Sequence, residues 1–198
     1  MTDLVLQPGR DRSVRRRHPW LLSGSVERIA GEVSPGDEVR VLSSAGEVLA
    51  WGHVSPGSKL RVRLFAFGKE EPPGDWLEQR VAAAVARRQN DPLLAGTDAV
   101  RLVNAEGDGL PGLVADRYGD LVVVRPSAAG VLVRAERVAA ALRAASGAGR
   151  GYLRADVAAA RREGVAAAHG ALWGEAPEAP VEIVERGRHY QVDPVAGQ

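Results

Sequence analysis

The sequence predicts an α+β chain with an N-terminal β-barrel, then a small α+β domain containing an antiparallel meander, and a C-terminal β-hairpin. Three observations predict this order. Short apolar segments recur between residues 4 and 67, a composition break follows at residues 68–74, and residues 101–124 read as three strands joined by glycine-containing turns. Evenly spaced short strands are typical of barrels or sandwiches, and a change to helical periodicity indicates a new domain.

Five strand candidates, punctuated by glycine and proline, predict the N-terminal barrel. They are residues 4–6, 25–29, 38–42, 48–54 and 60–67. The last of them alternates strictly, with Leu60, Val62, Leu64 and Ala66 on one face, as a half-buried strand requires.

A run of basic residues interrupts this β pattern. Five arginines lie within residues 10–17 beside one acid, Asp11, and His18, Pro19 and Trp20 follow. A short helix is expected to stop before Pro19, because proline disfavours the α conformation of the residue before it. Like charges at this density repel one another without an anionic partner, so the run indicates phosphate binding. Trp20 has two interpretations: a base-stacking side chain or, as is commoner for aromatic residues, a core side chain.

The composition break at residues 68–74 predicts a linker, and a helix is expected directly after it. The linker holds two prolines, two glycines and three charged residues. Asp75 is suited to cap the helix, and Glu78 three residues later would complete a capping box. Leu77, Val81 and Val85 recur every four residues and predict a buried helical face.

The central meander carries more polar residues than its turns need. Its strands are predicted at residues 100–105, 111–116 and 121–124, with glycine-containing turns at 107–109 and 118–120. One interpretation is turn chemistry together with a surface pair between Asp116 and Arg117; the other is a functional site. The polar residues singled out are Asn104, Glu106, Asp108, Asp116 and Arg117.

The remaining third of the chain predicts a helix at residues 134–145, a short strand at 152–154, an arginine-rich segment at 154–165 and a closing hairpin at 181–185 and 189–192. Gly147, Gly149 and Gly151 imitate the spacing of a nucleotide-binding loop. Such loops follow a strand and open a helix, whereas this stretch follows a helix, so it is interpreted as a helix C-cap and loop.

Composition excludes several classes of function. The chain of 198 residues contains no cysteine, which excludes disulfides, thiolate metal sites and thiolate catalysis by its own residues. No apolar run reaches the roughly 18 residues of a membrane span, and no signal peptide is evident, so a cytoplasmic location and no membrane partner are expected. The four histidines are scattered, and no metal-binding motif is found.

Three segments resemble one family of enzymes. Residues 101–119 keep the run R-L-x-x-x-E-x-D-G-L-P-G-L-x-x-D-R-x-G, residues 15–24 keep R-R-x-H-P-W-x-x-x-G, and residues 154–164 keep much of R-x-D-V-x-x-R-x-x-E-G. These runs resemble the bacterial class I S-adenosylmethionine (SAM)-dependent 23S rRNA (cytosine-C5) methyltransferases that carry an N-terminal PUA domain. PUA domains are pseudo-barrels that bind RNA, which agrees with the barrel predicted from strand spacing.

The resemblance implies a domain organisation and a set of contacts. Residues 1–68 would be a PUA-like RNA-binding domain, 75–180 a central α+β domain, and 181–198 a β-hairpin leading towards a methyltransferase domain. The expected RNA-binding residues are Arg10, Arg12, Arg15, Arg16, Arg17, His18 and Lys59. The central set Arg101, Glu106, Asp108, Asp116 and Arg117 has no assigned role. Expected partners are rRNA, the methyltransferase domain in cis or in trans, and a second copy of the chain as a possible homodimer.

The expected function is therefore the RNA-recognition portion of such a methyltransferase, truncated before its catalytic domain. SAM is the cofactor of the full-length family, but no catalytic, cofactor-binding or metal-binding residue is expected in this chain. Methylation at cytosine C5 requires a thiolate that adds to C6, and this chain has none. The alternative is a free-standing PUA-type RNA-binding or adaptor module without catalysis.

Overall fold

The computed structural model describes residues 1–178 and 180–195, which form two compact units. The first unit comprises Met1–Gly74 with two later segments, Ser127–Val133 and Val157–Ala167; the second comprises Asp75–Pro126, Arg134–Asp156 and the described residues from Ala168 on. The predicted domains, in contrast, are contiguous stretches, and their boundaries stay a prediction. Residues 179 and 196–198 of the two C-terminal predicted domains lie outside the described residues.

The first unit is built on a six-stranded sheet. Its elements in chain order are β1 (Thr2–Leu6), α1 (Arg12–Arg15), β2 (Trp20–Leu22), β3 (Val26–Ile29), β4 (Glu38–Leu42), β5 (Val48–Val54) and β6 (Leu60–Phe67). The strand order is β2-β6-β5-β4-β1-β3, and only the β1–β4 pair is parallel among these neighbours. Alternate apolar side chains such as Leu4, Val41 and Leu64 form its buried core. The predicted all-β N-terminal region is confirmed; the short strand β2 was not predicted.

Up to residue 195, the described part of the chain continues with four helices and seven strands. These are α2 (Trp76–Gln89), β7 (Ala99–Asn104), β8 (Leu113–Tyr118), β9 (Leu121–Pro126), α3 (Ala129–Leu132), α4 (Ala135–Ser146), β10 (Arg150–Arg154), α5 (Val157–Glu163), β11 (His169–Trp173), β12 (Val181–Glu185) and β13 (Arg188–Val192). Helices α3 and α5 belong to the first unit. The predicted meander, closing hairpin and α+β class are confirmed.

A five-stranded sheet ordered β11-β10-β9-β8-β7 organises the second unit. Strands β7, β8 and β9 form the antiparallel meander, and β10 returns parallel to β9 after the crossover through α4. Helices α2 and α4 pack against each other and against this sheet. Leu113 and Ala115 on β8 and Val122 and Val124 on β9 are buried, as expected for the face that meets the helices.

Two local predictions about turns and caps are wrong. The Asp75 side chain caps no backbone amide of α2; it accepts a hydrogen bond from Gln79 Nε2 at 2.8 Å instead. The Glu78 side chain does not complete the predicted capping box at the start of α2, because its carboxylate pairs with Arg137 on α4 at 2.6 Å. The turn after β7 is a 3₁₀ turn over Ala105–Asp108, closed by Gly109 at φ 69°, and therefore is not a tight hairpin.

Gly147, Gly149 and Gly151, whose spacing resembles that of a nucleotide-binding loop, have roles in capping and packing. Gly147 ends α4 in the left-handed conformation, which confirms the predicted C-cap. A side chain at Gly149 would meet the Asp120 carboxylate, and one at Gly151 would meet the Trp173 ring. These backbone positions are thus closed by neighbouring side chains, and they do not form a cradle that fits a nucleotide or SAM.

Candidate nucleic-acid interface

The arginine segment, residues 10–17, is held on the first unit by one apolar anchor. Val14 in α1 is buried, whereas Arg10, Arg12, Arg16 and Arg17 are exposed. Within residues 1–178 and 180–195, these four side chains form no ion pair. Their charge is therefore available to an external anion, as the sequence predicts, although their role in binding RNA stays a prediction.

Arg15 differs from the rest of the arginine segment because two carboxylates hold it. Its guanidinium lies 2.7 Å from Asp11 Oδ2 and 2.5 Å from Glu47 Oε2. These hydrogen bonds lower the pKa of both carboxyl groups and raise the pKa of Arg15. Arg15 consequently ties α1 to the turn before β5, and its charge is already compensated.

Trp20 lies outside the core, so the interpretation of Trp20 as a core side chain is wrong. In β2 the inward position belongs to Leu21, which is 0% exposed, while Trp20 and Leu22 on either side are 45% and 58% exposed. Alternation along a strand makes this necessary once Leu21 points inward. The His18 ring stands edge-on to Trp20, with 5.9 Å between ring centroids.

His18 and Lys59 complete the predicted RNA-binding set, and both are exposed. His18 Nδ1 accepts a hydrogen bond from the backbone amide of Trp20 at 3.2 Å, which fixes the imidazole beside the indole. The Lys59 carbonyl accepts from the Ser23 amide at 2.9 Å, directly after β2. Cations and exposed rings thus occupy neighbouring parts of the first unit, the combination that binds single-stranded nucleic acid.

Asp108 of the central set is a structural carboxylate. Its side chain is 1% exposed and accepts hydrogen bonds from Arg88 at 2.7 Å, from Arg87 at 3.0 Å and from the Asn104 amide at 2.7 Å. Burial raises the pKa of Asp108, but the hydrogen bonds from Arg88 and Asn104 outweigh it, so the pKa lies below its ordinary value. The residue therefore fixes the 3₁₀ turn to the end of α2.

Asp116 pairs across strands and does not pair with Arg117. Arg101 Nε on β7 donates to Asp116 Oδ1 at 2.8 Å, and Arg125 on β9 donates to Asp116 Oδ2. Arg117 follows Asp116 on the same strand, so its side chain leaves from the opposite face. Its guanidinium donates to the carbonyls of Gly119 at 2.7 Å and Ser146 at 3.4 Å. The predicted surface pair of Asp116 and Arg117 is therefore wrong.

The paired arginines of Asp116 border an open cavity of about 710 Å³ on the second unit. Residues from β7, β8, β9 and β10 line its floor, and the chain after β13 lines one side. Sequence reasoning singled out Arg101, Asp116 and Arg117 there but not Arg125 or Tyr118. Arg125 lies two residues after the buried Val123 on β9, and Tyr118 lies two residues after the buried Asp116 on β8. Side chains two apart on a strand share a face, so this spacing is the signal that could have found both residues. Glu106 of the central set is half-buried in the 3₁₀ turn.

The described part of the chain contains neither a candidate metal-ligand cluster nor a helix that could cross a membrane. No group of three or more His, Cys, Asp or Glu side chains there could hold a metal ion. Among the same residues, no helix has the length and apolar character needed to cross a membrane.

Comparisons with known proteins agree with this architecture. Residues 4–67 match the PUA-like domain family. The chain is 37% identical over 191 residues to ribosomal RNA large subunit methyltransferase I of Salmonella arizonae, covering 96% of this chain and 47% of that protein. It is 38% identical over 198 residues to the protein of the same name from Photobacterium profundum, covering 99% and 50%.

Solved structures show the same fold over the described chain. A Streptococcus mutans protein assigned as a SAM-dependent methyltransferase superposes with a TM-score of 0.76 at 22% identity, covering 97% of this chain and 48% of that one. A second structure with the same values is a protein assigned as a methyltransferase, complexed with SAH. This chain thus spans about half the length of the relatives it matches. The first unit of this chain contains a PUA-like domain over residues 4–67.

Proposed function

We propose that this chain is the RNA-recognition portion of a SAM-dependent methyltransferase that acts on cytosine C5 of large-subunit rRNA. The observation that carries this proposal is the similarity to the two large-subunit rRNA methyltransferases, which runs through both units of the chain. The PUA-like domain and its exposed arginine segment support RNA as the ligand.

The arginine segment would contact the RNA backbone. Within the arginine segment, Arg10, Arg12, Arg16 and Arg17 are exposed and have no carboxylate partner among the described residues, so each can neutralise a phosphate. Arg15 would act by positioning α1, because its guanidinium already pairs with Asp11 and Glu47. Trp20 and His18 would supply ring surfaces for unpaired bases.

The chemical step is assigned to residues outside this chain. Cytosine C5 becomes nucleophilic only after a thiolate adds to C6, and the sequence contains no cysteine. Its one nucleotide-loop-like stretch does not fit SAM, because Asp120 and Trp173 close the positions beside Gly149 and Gly151. The proposed role of this chain is therefore to bind and orient rRNA in the cytoplasm. A methyltransferase domain in cis or in trans, and a homodimer, stay predictions.

The test is RNA binding measured across salt concentrations with the 198-residue chain and a fragment of large-subunit rRNA. Replacing Arg10, Arg12, Arg16 and Arg17 together by alanine should reduce the salt slope of log K by about three to four units. Arg143→Ala is the matched control, because Arg143 is exposed on α4 and lies outside the arginine segment. An unchanged slope in the fourfold variant contradicts the proposal.

Supplying a SAM-binding methyltransferase domain in trans separates the two candidate roles. Restored methylation of undermethylated large-subunit rRNA supports the enzyme portion. RNA binding that no such domain converts into methylation supports the free-standing RNA-binding or adaptor module.

A further inference from the structure

One face of the sheet in the second unit carries charged and polar side chains that line a cavity. Arg101 on β7, Asp116 and Tyr118 on β8, Arg125 on β9 and Arg154 on β10 line the cavity of about 710 Å³. Residues two apart on a strand share a face, so Asp116 and Tyr118 lie opposite the buried residues that meet the helices. A cavity of this size fits a ligand as large as a nucleotide.

The charges around this cavity favour an anion. Four arginines and two aspartates, Asp116 and Asp193, line it. Arg117 directs its guanidinium to the backbone carbonyls of Gly119 and Ser146, so it is not among the arginines that this face presents to a ligand. Asp116 is only 8% exposed at its side chain, whereas Arg101 and Arg125 are 49% and 40% exposed. The carboxylate therefore orients two guanidinium groups from below.

Asp116 orients Arg101 and Arg125 without using all of their N–H groups, so both arginines keep hydrogen-bond donors for a ligand. A guanidinium has five N–H donors in a fixed plane, and the contact of Arg125 with Asp116 uses its Nη2 group. A guanidinium held from below in this way loses less freedom when it binds a phosphate, which it can do with two parallel hydrogen bonds.

Tyr118 adds an aromatic surface to the same cavity. It ends β8 two residues after Asp116, and its ring is half-buried. Burial raises the pKa of its phenol, so the hydroxyl remains protonated at neutral pH. An aromatic ring beside oriented arginines is the arrangement by which proteins hold an unstacked base and its phosphate.

We propose that this cavity binds one nucleotide of an RNA strand, with its phosphate on Arg101 and Arg125 and its base against Tyr118. The inference rests on the proposed function in one respect, namely that RNA is the ligand of the chain. It assigns a second contact, on residues that are separate in sequence from the arginine segment.

The test uses the 198-residue chain, a labelled single-stranded ribo-oligonucleotide, and AMP and inorganic phosphate as separate ligands. Arg125→Gln, which leaves Asp116 paired with Arg101, should lower oligonucleotide affinity at least tenfold and reduce the salt slope by about one unit. Tyr118→Leu should lower affinity at least fivefold, whereas Tyr118→Phe, which keeps the ring, should bind within twofold of wild type. Arg143→Gln is the control for a lost arginine charge and should change neither quantity.

Cross-linking gives a readout that does not depend on the variants folding. Ultraviolet cross-linking of the wild-type chain to the oligonucleotide should yield an RNA-linked peptide that contains Tyr118. Cross-links confined to residues 10–20 would overturn the inference, as would an Arg125→Gln variant that behaves like Arg143→Gln. AMP or phosphate binding that these variants abolish, without an effect on RNA, would also overturn it.

The two proposals fail in distinguishable ways. If the fourfold arginine-segment variant loses its salt slope but the cavity variants do not, the proposed function stands and this inference is wrong. If the wild-type chain shows no salt-dependent RNA binding, the proposed function fails, and this inference fails with it.

Discussion

Glu163 accepts a hydrogen bond from Arg63 Nη1 at 2.8 Å, although the two residues are 100 positions apart in the chain. The same carboxylate oxygen accepts from Ser55 Oγ at 2.6 Å and from the Ala129 amide at 3.2 Å. Both side chains of the ion pair are largely buried, with exposures of 12% for Arg63 and 5% for Glu163. One buried carboxylate on α5 thus joins β6, α3 and Ser55, the residue directly after β5, within the first unit.

Glu163→Ala should lower the free energy of unfolding by about 3–5 kcal/mol, because it leaves Arg63 and Ser55 buried without their acceptor. Urea denaturation measures the change. Glu47→Gln breaks an exposed ion pair of the same unit and should cost less than about 1 kcal/mol. Arg63→Met combined with Glu163→Leu removes both charges and should cost less than Glu163→Ala alone; equal costs for the three variants would contradict this account.

The lowered pKa of Asp108 predicts a pH dependence of stability. A carboxyl group whose pKa is lower in the folded than in the unfolded state stabilises the fold above its unfolded pKa of about 3.9. That contribution disappears as pH falls through the folded pKa. Asp108→Asn should therefore cost about 1.5–3 kcal/mol at pH 7 and progressively less below about pH 4.

Denaturation of wild type and Asp108→Asn between pH 2.5 and 7 checks the prediction for Asp108. Glu182→Gln serves as its control, since Glu182 is 57% exposed at its side chain and pairs only with His189 and Gln191 among the described residues. A difference between Asp108→Asn and wild type that stays constant with pH would show that the carboxylate does not titrate as inferred.

The elements of this fold were predictable where burial imposes a period on the sequence. The alternation in residues 60–67 and the four-residue spacing of Leu77, Val81 and Val85 each produced the predicted element. Trp20 shows the limit of this reasoning. A three-residue strand carries too few positions to reveal its inward face, and only the structure shows that Leu21 occupies it.

The contacts of polar residues depended on pairing that sequence does not reveal. Arg101 and Asp116 are partners because β7 and β8 align them, and Arg125 joins them from β9. Glu163 belonged to a recognisable motif, but its partners Ser55 and Ala129 come from other parts of the chain. Residue types therefore indicated where polar sites lie, whereas strand register and long-range packing determine which groups meet.

Gly151→Ala should be strongly destabilising although Gly151 has an ordinary strand conformation. A Cβ atom there would overlap the Trp173 ring, which is itself held by a hydrogen bond from its Nε1 to the Ala148 carbonyl at 2.9 Å. Overpacking of this kind costs about 1–3 kcal/mol or more. Gly57→Ala is the matched control, because a Cβ atom at Gly57 meets nothing within 4 Å. Thermal unfolding should separate the two variants, and equal melting temperatures would contradict the prediction.

The exposure of Trp20 predicts that its substitution affects RNA binding more than stability. Trp20→Ala should change the free energy of unfolding by less than about 1 kcal/mol but weaken RNA binding by about 1–3 kcal/mol if a base stacks on the indole. Trp20→Phe should retain most of the affinity. Trp51 is only 4% exposed, so Trp51→Ala should instead cost about 3–5 kcal/mol of stability. Titration with rRNA fragments and denaturation of each variant test both halves, and a Trp20→Ala chain with wild-type affinity would remove Trp20 from the RNA contact.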